Sequence, residues 1–278
     1  MKQVGLCVDD FGFKASVNEA VAQLVDAGIV TAVGCMSTGP AWWKGAALLS
    51  GARRDRADVG LHLNLTETWP GVQADYARPL PLLILQALLR LLPARALRET
   101  VERQLQDFED AFGDTPDFID GHQHVHQLPQ VRDVLLECLE RRPSARLPWL
   151  RCTLPAPNAP VDGKQKVIAA LGGQGLVQLA RRHGLAMNRH LLGVYGFDAD
   201  AGTYEQLLSG WLAHCGDGDL LMLHPALRDP PSEGAAGDAI SAAREVEYEV
   251  LTQRAADLLR RHSVQPVRPS RCPELLRH

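Results

Sequence analysis

Val4-Gly5-Leu6-Cys7-Val8, followed without a break by Asp9-Asp10-Phe11-Gly12, is the stretch on which the reading of this 278-residue chain turns. The first five residues read as a buried strand, and two adjacent carboxylates close it. Ionised side chains are almost never fully buried unless they are paired or bound to a cation. Gly12 lets the chain turn sharply after them. Residues projecting from the C-terminal end of a strand sit where α/β folds keep their active sites. The other reading of the pair is an acidic helix N-terminus favoured by the helix dipole.

Outward from this stretch, short apolar runs alternate with helical patterns. Further strands are expected at 30–36, 59–65, 118–119, 146–152 despite Pro148, 191–195, 219–223 and 264–267. Ser16-Val17-Asn18-Glu19 reads as a capping box opening a helix that stops at Gly28. Helices are also expected at 42–49, at 97–112 with a stop at Gly113, at 131–139, at 204–214 and at 242–261. Another, at 164–182, is weakened by Gly172, Gly173 and Gly175. Loops rich in proline lie at 155–163 and 225–237. The alternation predicts a parallel α/β fold in a single domain over residues 1–278, and the number of strands favours a barrel-like sheet over an open one.

The chain is 46% hydrophobic with a net charge of −4 and mixed signs, enough for a large core and without a nucleic-acid footprint. Its six cysteines are scattered and form no CxxC, which suits a reduced cytoplasmic protein better than a disulfide framework. The first strand begins by residue 4 with no signal-peptide pattern ahead of it, again as expected for the cytoplasm. One segment stands apart: Leu80-Pro81-Leu82-Leu83-Ile84-Leu85-Gln86-Ala87-Leu88-Leu89-Arg90-Leu91-Leu92, inside an apolar insertion at about 70–97. It is shorter than the roughly 20 residues that span a bilayer. It reads as a buried helix or a dimer contact, in keeping with an expected homodimer. Alternatively it is an apolar lid, or a surface that touches a lipid-bearing substrate and makes peripheral membrane contact.

Four groups of ionisable residues fall in or just after apolar runs: Asp9-Asp10; His62 in Gly60-Leu61-His62-Leu63-Asn64-Leu65; Asp120-Gly121-His122-Gln123-His124-Val125-His126; and His224 in Leu223-His224-Pro225. Period-two alternation puts His62 and Asn64 on one face. A carboxylate with two imidazoles suits a divalent ion, and three protein ligands leave positions open for water and substrate. A second carboxylate beside such an ion can act as a base, and a histidine across the site as an acid. Those are the needs of amide or ester hydrolysis. Each residue also has a plainer reading. His62 can be a satisfied strand histidine, and the HxHxH run a surface loop. His224 can close a strand end, and Asp120 can form a turn or orient an imidazole from behind. Carboxylates and imidazoles at four strand ends together argue for the site.

These residues resemble the YdjC-like carbohydrate deacetylases, which include chitooligosaccharide and hopanoid-biosynthesis deacetylases. The matching stretches are Val8-Asp9-Asp10-Phe11-Gly12-Phe13, Asn18-Glu19-Ala20, Gly28-Ile29-Val30-Thr31-Ala32, Gly60-Leu61-His62-Leu63-Asn64-Leu65-Thr66, Asp120 to His126, and Leu223-His224-Pro225. Arg244, Glu245 and Glu247 match a helix start near the family's C-terminus. The resemblance implies an irregular (β/α) TIM-like barrel related to NodB-type polysaccharide deacetylases. It implies one divalent ion, zinc or magnesium with cobalt or nickel as alternatives, and removal of an N-acetyl group from an amino sugar with release of acetate. By the same resemblance Asp10, His62 and His122 are metal ligands, Asp9 is the base and His224 the acid. His124 and His126 are expected either to line the substrate cleft or to stand behind the metal ligands, and Arg151 and Asn64 to contact substrate. Val8 and Ala226 replace residues common in the family, and the leucine-rich segment favours a glycolipid over a soluble oligosaccharide. The rival expectations are a metal-dependent phosphoesterase on a similar barrel and a sugar- or lipid-binding protein without turnover.

Overall fold

A ten-residue strand, β1 (Lys2–Phe11), forms the centre of the molecule and is buried from Val4 to its end. The computed structural model describes residues 1–70, 76–142, 146–157, 159, 163–229 and 238–277. Parts of the expected loops 155–163 and 225–237, and residues 71–75 of the expected insertion, lie outside the described residues. After β1 the chain alternates as the sequence predicts. Helix α1 (Ala15–Asp26) leads to β2 (Ala32–Cys35), and the short helices α2 (Trp42–Gly45) and α3 (Ala52–Arg56) lead to β3 (Asp58–Leu63). Helices α4 (Leu80–Leu88) and α5 (Ala94–Phe112) precede β4 (Phe118–Gly121), and α6 (Val131–Glu140) precedes β5 (Trp149–Leu150). Helices α7 (Gly163–Ile168) and α8 (Gln174–Arg182) precede β6 (Leu191–Leu192). Then come α9 (Ala201–His214), β7 (Leu220–Leu223), α10 (Ser241–Arg261) and β8 (Val264–Pro266).

The strands are parallel and ordered β5-β4-β3-β2-β1-β7-β6, and β8 pairs with the first residues of β1. Between β5 and β6 the sheet curls round to single bridges, Leu150 to Met187 and Pro155 to Leu191. The expected irregular barrel therefore has a seam where its two shortest strands meet. The seam explains why two expected strands shrink. Pro148 offers no N–H to a ladder, so 146–152 reduces to Trp149–Leu150. Gly193, at φ +92°, turns the chain away after Leu192, and a Cβ there would meet the Met222 carbonyl at 2.2 Å.

Alternate residues of β1 feed two cores. Val4, Leu6 and Val8 pack outward under the helices, whereas Cys7 joins Ala32, Phe118, Trp149, Leu220 and Met222 inside the barrel. Parallel strands covered on both faces read as continuous apolar runs, as these do. The expected capping box is corrected. Helix α1 begins two residues earlier, at Ala15, after an extended Lys14 that makes no side-chain cap, so Ser16 falls inside the first turn. Asn18 is instead turned back on the DDFG turn, accepting from the Gly12 N–H at 2.6 Å and donating to the Ala41 carbonyl at 3.1 Å. Among the described residues no helix is long and apolar enough to cross a membrane.

Candidate metal and acid–base site

The C-terminal ends of β1, β3, β4 and β7 open into a cleft of about 350 Å³ lined by Asp9, Asp10, His62, His122, His124 and His224. Regular pleating would send Asp9 and Asp10 to opposite faces. The register of β1 against β2 shifts between Val8 and Phe11, and Asp10 takes φ +65°. This bulge turns both neighbouring carboxylates into the same cleft, a use of bulges common beside active sites. Asp tolerates this left-handed conformation better than most side chains. On β2, Gly34 leaves room for the groups behind; a Cβ there would lie 3.2 Å from His62 Nδ1.

Two imidazoles converge on Asp10. Its Oδ1 lies 2.9 Å from His122 Nδ1 and 3.3 Å from His62 Nε2. Its Oδ2 accepts from Arg244 on α10 at 2.6 Å. Burial works against ionising Asp10, but Arg244 and His122 overcome it and hold the carboxyl well below its usual range. His62 and Asp120 are register partners on β3 and β4, and His62 Nδ1 lies 2.6 Å from Asp120 Oδ1. Burial alone would lower His62, yet Asp120 and Asp9 drive it up to about 10. Such a group takes up positive charge because carboxylates surround it. A divalent cation answers the same demand: Asp10, His62 and His122 offer ligand atoms within 4.8 Å of one another. Asp120 behind His62 is the carboxylate that commonly orients a metal-bound imidazole. The donor set fits one divalent ion.

Asp9 is held differently. Arg151 grips it with two hydrogen bonds, Nη1 to Oδ2 at 2.6 Å and Nη2 to Oδ1 at 2.5 Å. The same Nη2 reaches Cys7 Sγ at 2.9 Å and pairs with Asp120 Oδ2. Arg151 is fully buried, so this paired guanidinium is strongly fixed. Asp120 thus ties the His62 side of the site to the Asp9 side. Across the cleft, His224 Nε2 lies 3.9 Å from Asp9 Oδ2, and the Phe197 ring packs at right angles to the imidazole. Burial holds His224 down to about 4, so it is neutral here. Beneath it, Glu247 accepts from the His224 N–H at 2.6 Å, from Tyr195 Oη at 2.7 Å and from Tyr204 Oη at 3.1 Å. Burial still raises Glu247 to about 7.

With this geometry in place, kinship becomes informative. The family model for YdjC-like proteins matches residues 3–261. This chain is a YdjC-like protein. It is 30% identical over 283 residues to a carbohydrate deacetylase of Homo sapiens, covering 90% of this chain and 84% of that one. A carbohydrate deacetylase of Xenopus laevis is 26% identical and covers 83% of both chains. A chitooligosaccharide deacetylase of Proteus mirabilis is 28% identical over 48% of this chain and 54% of its own length. Among solved structures, an Enterococcus faecalis protein provisionally named for cellobiose-phosphate cleavage superposes with a TM-score of 0.68 at 19% identity, over 96% of this chain and 97% of that one. That likeness speaks for the fold alone.

In this YdjC-like protein the structure brings together Asp9, Asp10, His62, His122, His124 and His224. It separates three residues expected to touch substrate. Asn64 is buried and holds the turn after β3, accepting from the Thr66 and Glu67 N–H groups and donating to Thr38 Oγ1 and the Glu67 carbonyl. His126 turns inward, with Nε2 3.0 Å from the Arg151 carbonyl. Arg151 lies beneath Asp9 rather than in the cleft wall. His124 and His126 part because Gln123 and His124 both take left-handed conformations after His122. Arg244 and Glu247 were visible as a helix motif, but nothing local in the sequence ties them to Asp10 and His224.

Proposed function

We propose that this YdjC-like protein is a metal-dependent carbohydrate N-deacetylase. The observation that carries the reading is the split of two neighbouring carboxylates. Asp10 faces two imidazoles, whereas Asp9 faces Arg151 and His224 and stays outside that ligand set. A divalent ion held by Asp10, His62 and His122 supplies Lewis acidity to an acetamide carbonyl and to water. Two imidazoles with one carboxylate suit zinc, cobalt or nickel, and a carboxylate-rich surround also suits magnesium.

Asp9 takes the proton from the attacking water, with Arg151 fixing both of its oxygens in place. His224 starts neutral and lies 3.9 Å from Asp9, so that proton reaches it through one intervening water and passes on to the departing amine nitrogen. The net result is one water consumed, the C–N bond broken, and acetate and a free amino sugar released. Glu247 holds the His224 backbone N–H at the far side and is itself held by the Tyr195 and Tyr204 hydroxyls. Acid–base groups placed in this way typically contribute roughly 10²–10⁴-fold.

A two-ion phosphoesterase fits less well. The second set of donor atoms, Cys7, Asp9 and Asp120, already surrounds the Arg151 guanidinium. His126, a ligand such a centre would need, faces the other way. The substrate we propose is an N-acetylated sugar, lipid-linked in keeping with the apolar rim of the cleft. The five buried free cysteines agree with a reducing, cytoplasmic setting. The test is acetate release from N-acetylated sugars, soluble and lipid-linked, by protein stripped with chelator and reloaded with zinc, magnesium, cobalt or nickel. Release that returns with metal supports the reading. Release that survives chelation, or phosphate release in its place, overturns it.

A further inference from the structure

Helix α4 presents its apolar side chains outward. Only Leu83 and Ala87 of the helix are buried. Leu82, Leu85, Leu88, Leu89 and Leu91 are 42 to 65% exposed. These are five of the nine most exposed large apolar residues among those described, gathered in ten positions. Scattered exposed leucines need no explanation, but a contiguous group of this kind marks an interaction surface.

Two observations say what covers it. The first is charge. From Tyr76 to Arg98 the chain carries Arg78, Arg90, Arg95 and Arg98 and no Asp or Glu, in a protein of net charge −4. Arg90, Arg95 and Arg98 touch Asp133, Glu99 and Glu137 at 3.1, 2.8 and 2.7 Å. Such surface pairs contribute little to stability. A short leucine face bordered by arginines has the make-up of a helix that lies in the interface of an anionic bilayer. The second is continuity. Leu80 lines the metal-site cleft, and Leu80 and Ile84 line a side trough of about 410 Å³ with Leu128, Val167, Ile168 and Leu171. The trough shares His124, Gln123, Lys164 and Ile168 with the cleft. The apolar surface therefore runs from the helix into the site.

We infer that the outer face of α4 docks on an anionic lipid surface and holds the mouth of the cleft against the membrane, where an amino sugar carried on a lipid can enter. The entry step rests on the deacetylase reading; the docking does not. A second copy of the chain is the rival occupant.

The experiment sediments the full chain with vesicles of phosphatidylcholine alone, or of phosphatidylcholine and phosphatidylglycerol in equal parts. The wild type partitions roughly tenfold more onto the anionic vesicles, as a few arginines at the surface imply. Leu85→Ser combined with Leu89→Ser abolishes that binding while acetate release from a soluble N-acetylated sugar stays within about twofold, as for other surface changes. Arg90→Gln combined with Arg95→Gln narrows the preference for anionic vesicles. Wild type that stays in the supernatant overturns the inference, as does a serine variant that binds equally well. A wild-type dimer that the serine variant splits assigns the face to a second copy and also overturns it. Anionic binding without acetate release from any sugar keeps the docking and sinks the deacetylase reading.

Discussion

The floor of the cleft and its α4 rim are built on opposite rules. On the floor Asp9, Asp10, Asp120, His62, Arg151 and Arg244 form one buried, densely paired network, in which each carboxylate meets a guanidinium or an imidazole. On the rim, leucines stand in the open and the charges are surface pairs, Arg90 with Asp133 and Arg95 with Glu99. Buried ionic networks are costly to break, because removing one partner strands another. Exposed apolar residues can be replaced with little effect on the fold. Chemistry demands the first kind of surface and docking the second, so substitutions should separate them cleanly.

The largest effect belongs to the proposed metal ligands. Chelation, or His62→Ala, should remove acetate release almost entirely, measured by acetate assay, while elemental analysis of His62→Ala finds the ion lost. Asp120→Asn comes next. It keeps the shape of the side chain but weakens both the hold on His62 and the pairing with Arg151. Metal affinity should fall about 10–100-fold in a chelator competition. Turnover at saturating metal should fall as well, through the loosened Asp9 clamp. A purely structural role for Asp120 would lower the melting temperature and leave affinity unchanged.

How much of this floor could be read in advance divides along physical lines. Asp9, Asp10, His62, His122 and His224 announce themselves because each breaks or ends an apolar run. The shared direction of Asp9 and Asp10 does not, since it comes from a bulge at φ +65° that pleating alone would not produce. Arg244 and Arg151 pair with carboxylates 234 and 142 residues away, so no local pattern links them. Strand 146–152 shrank because a proline at the seam has no hydrogen to donate, a constraint the apolar run concealed. The capping box failed because helix α1 starts at Ala15: Ser16 and Glu19 have the right spacing but lie inside the helix, and Asn18 is drawn to the Gly12 N–H.

A smaller effect concerns stability beneath His224. Burial raises Glu247 to about 7 in the fold from 4.5 in the open chain. The folded state therefore binds a proton that the unfolded state has released. Stability falls as pH rises from 4.5 to about 7 and is level outside that window. The loss is on the order of 3–4 kcal/mol, from about 1.4 kcal/mol for each pKa unit. Glu247→Gln should flatten that slope in denaturant titrations at a series of pH values. An unchanged slope would show that Glu247 does not titrate in this range. The smallest effect is on the rim, where Leu88→Gln should change unfolding free energy by no more than about 0.5 kcal/mol and leave turnover of a soluble substrate intact. A large loss would mean that Leu88 is covered by something in solution.

The central claim is that two adjacent carboxylates hold different posts: Asp10 binds the ion and Asp9 works beside it. Metal content and acetate release, measured together on Asp9→Asn and Asp10→Asn, test it most directly. The account predicts one ion per chain and no release for Asp9→Asn, and loss of the ion for Asp10→Asn. An Asp9→Asn protein that loses its ion, or that keeps both ion and turnover, would contradict it.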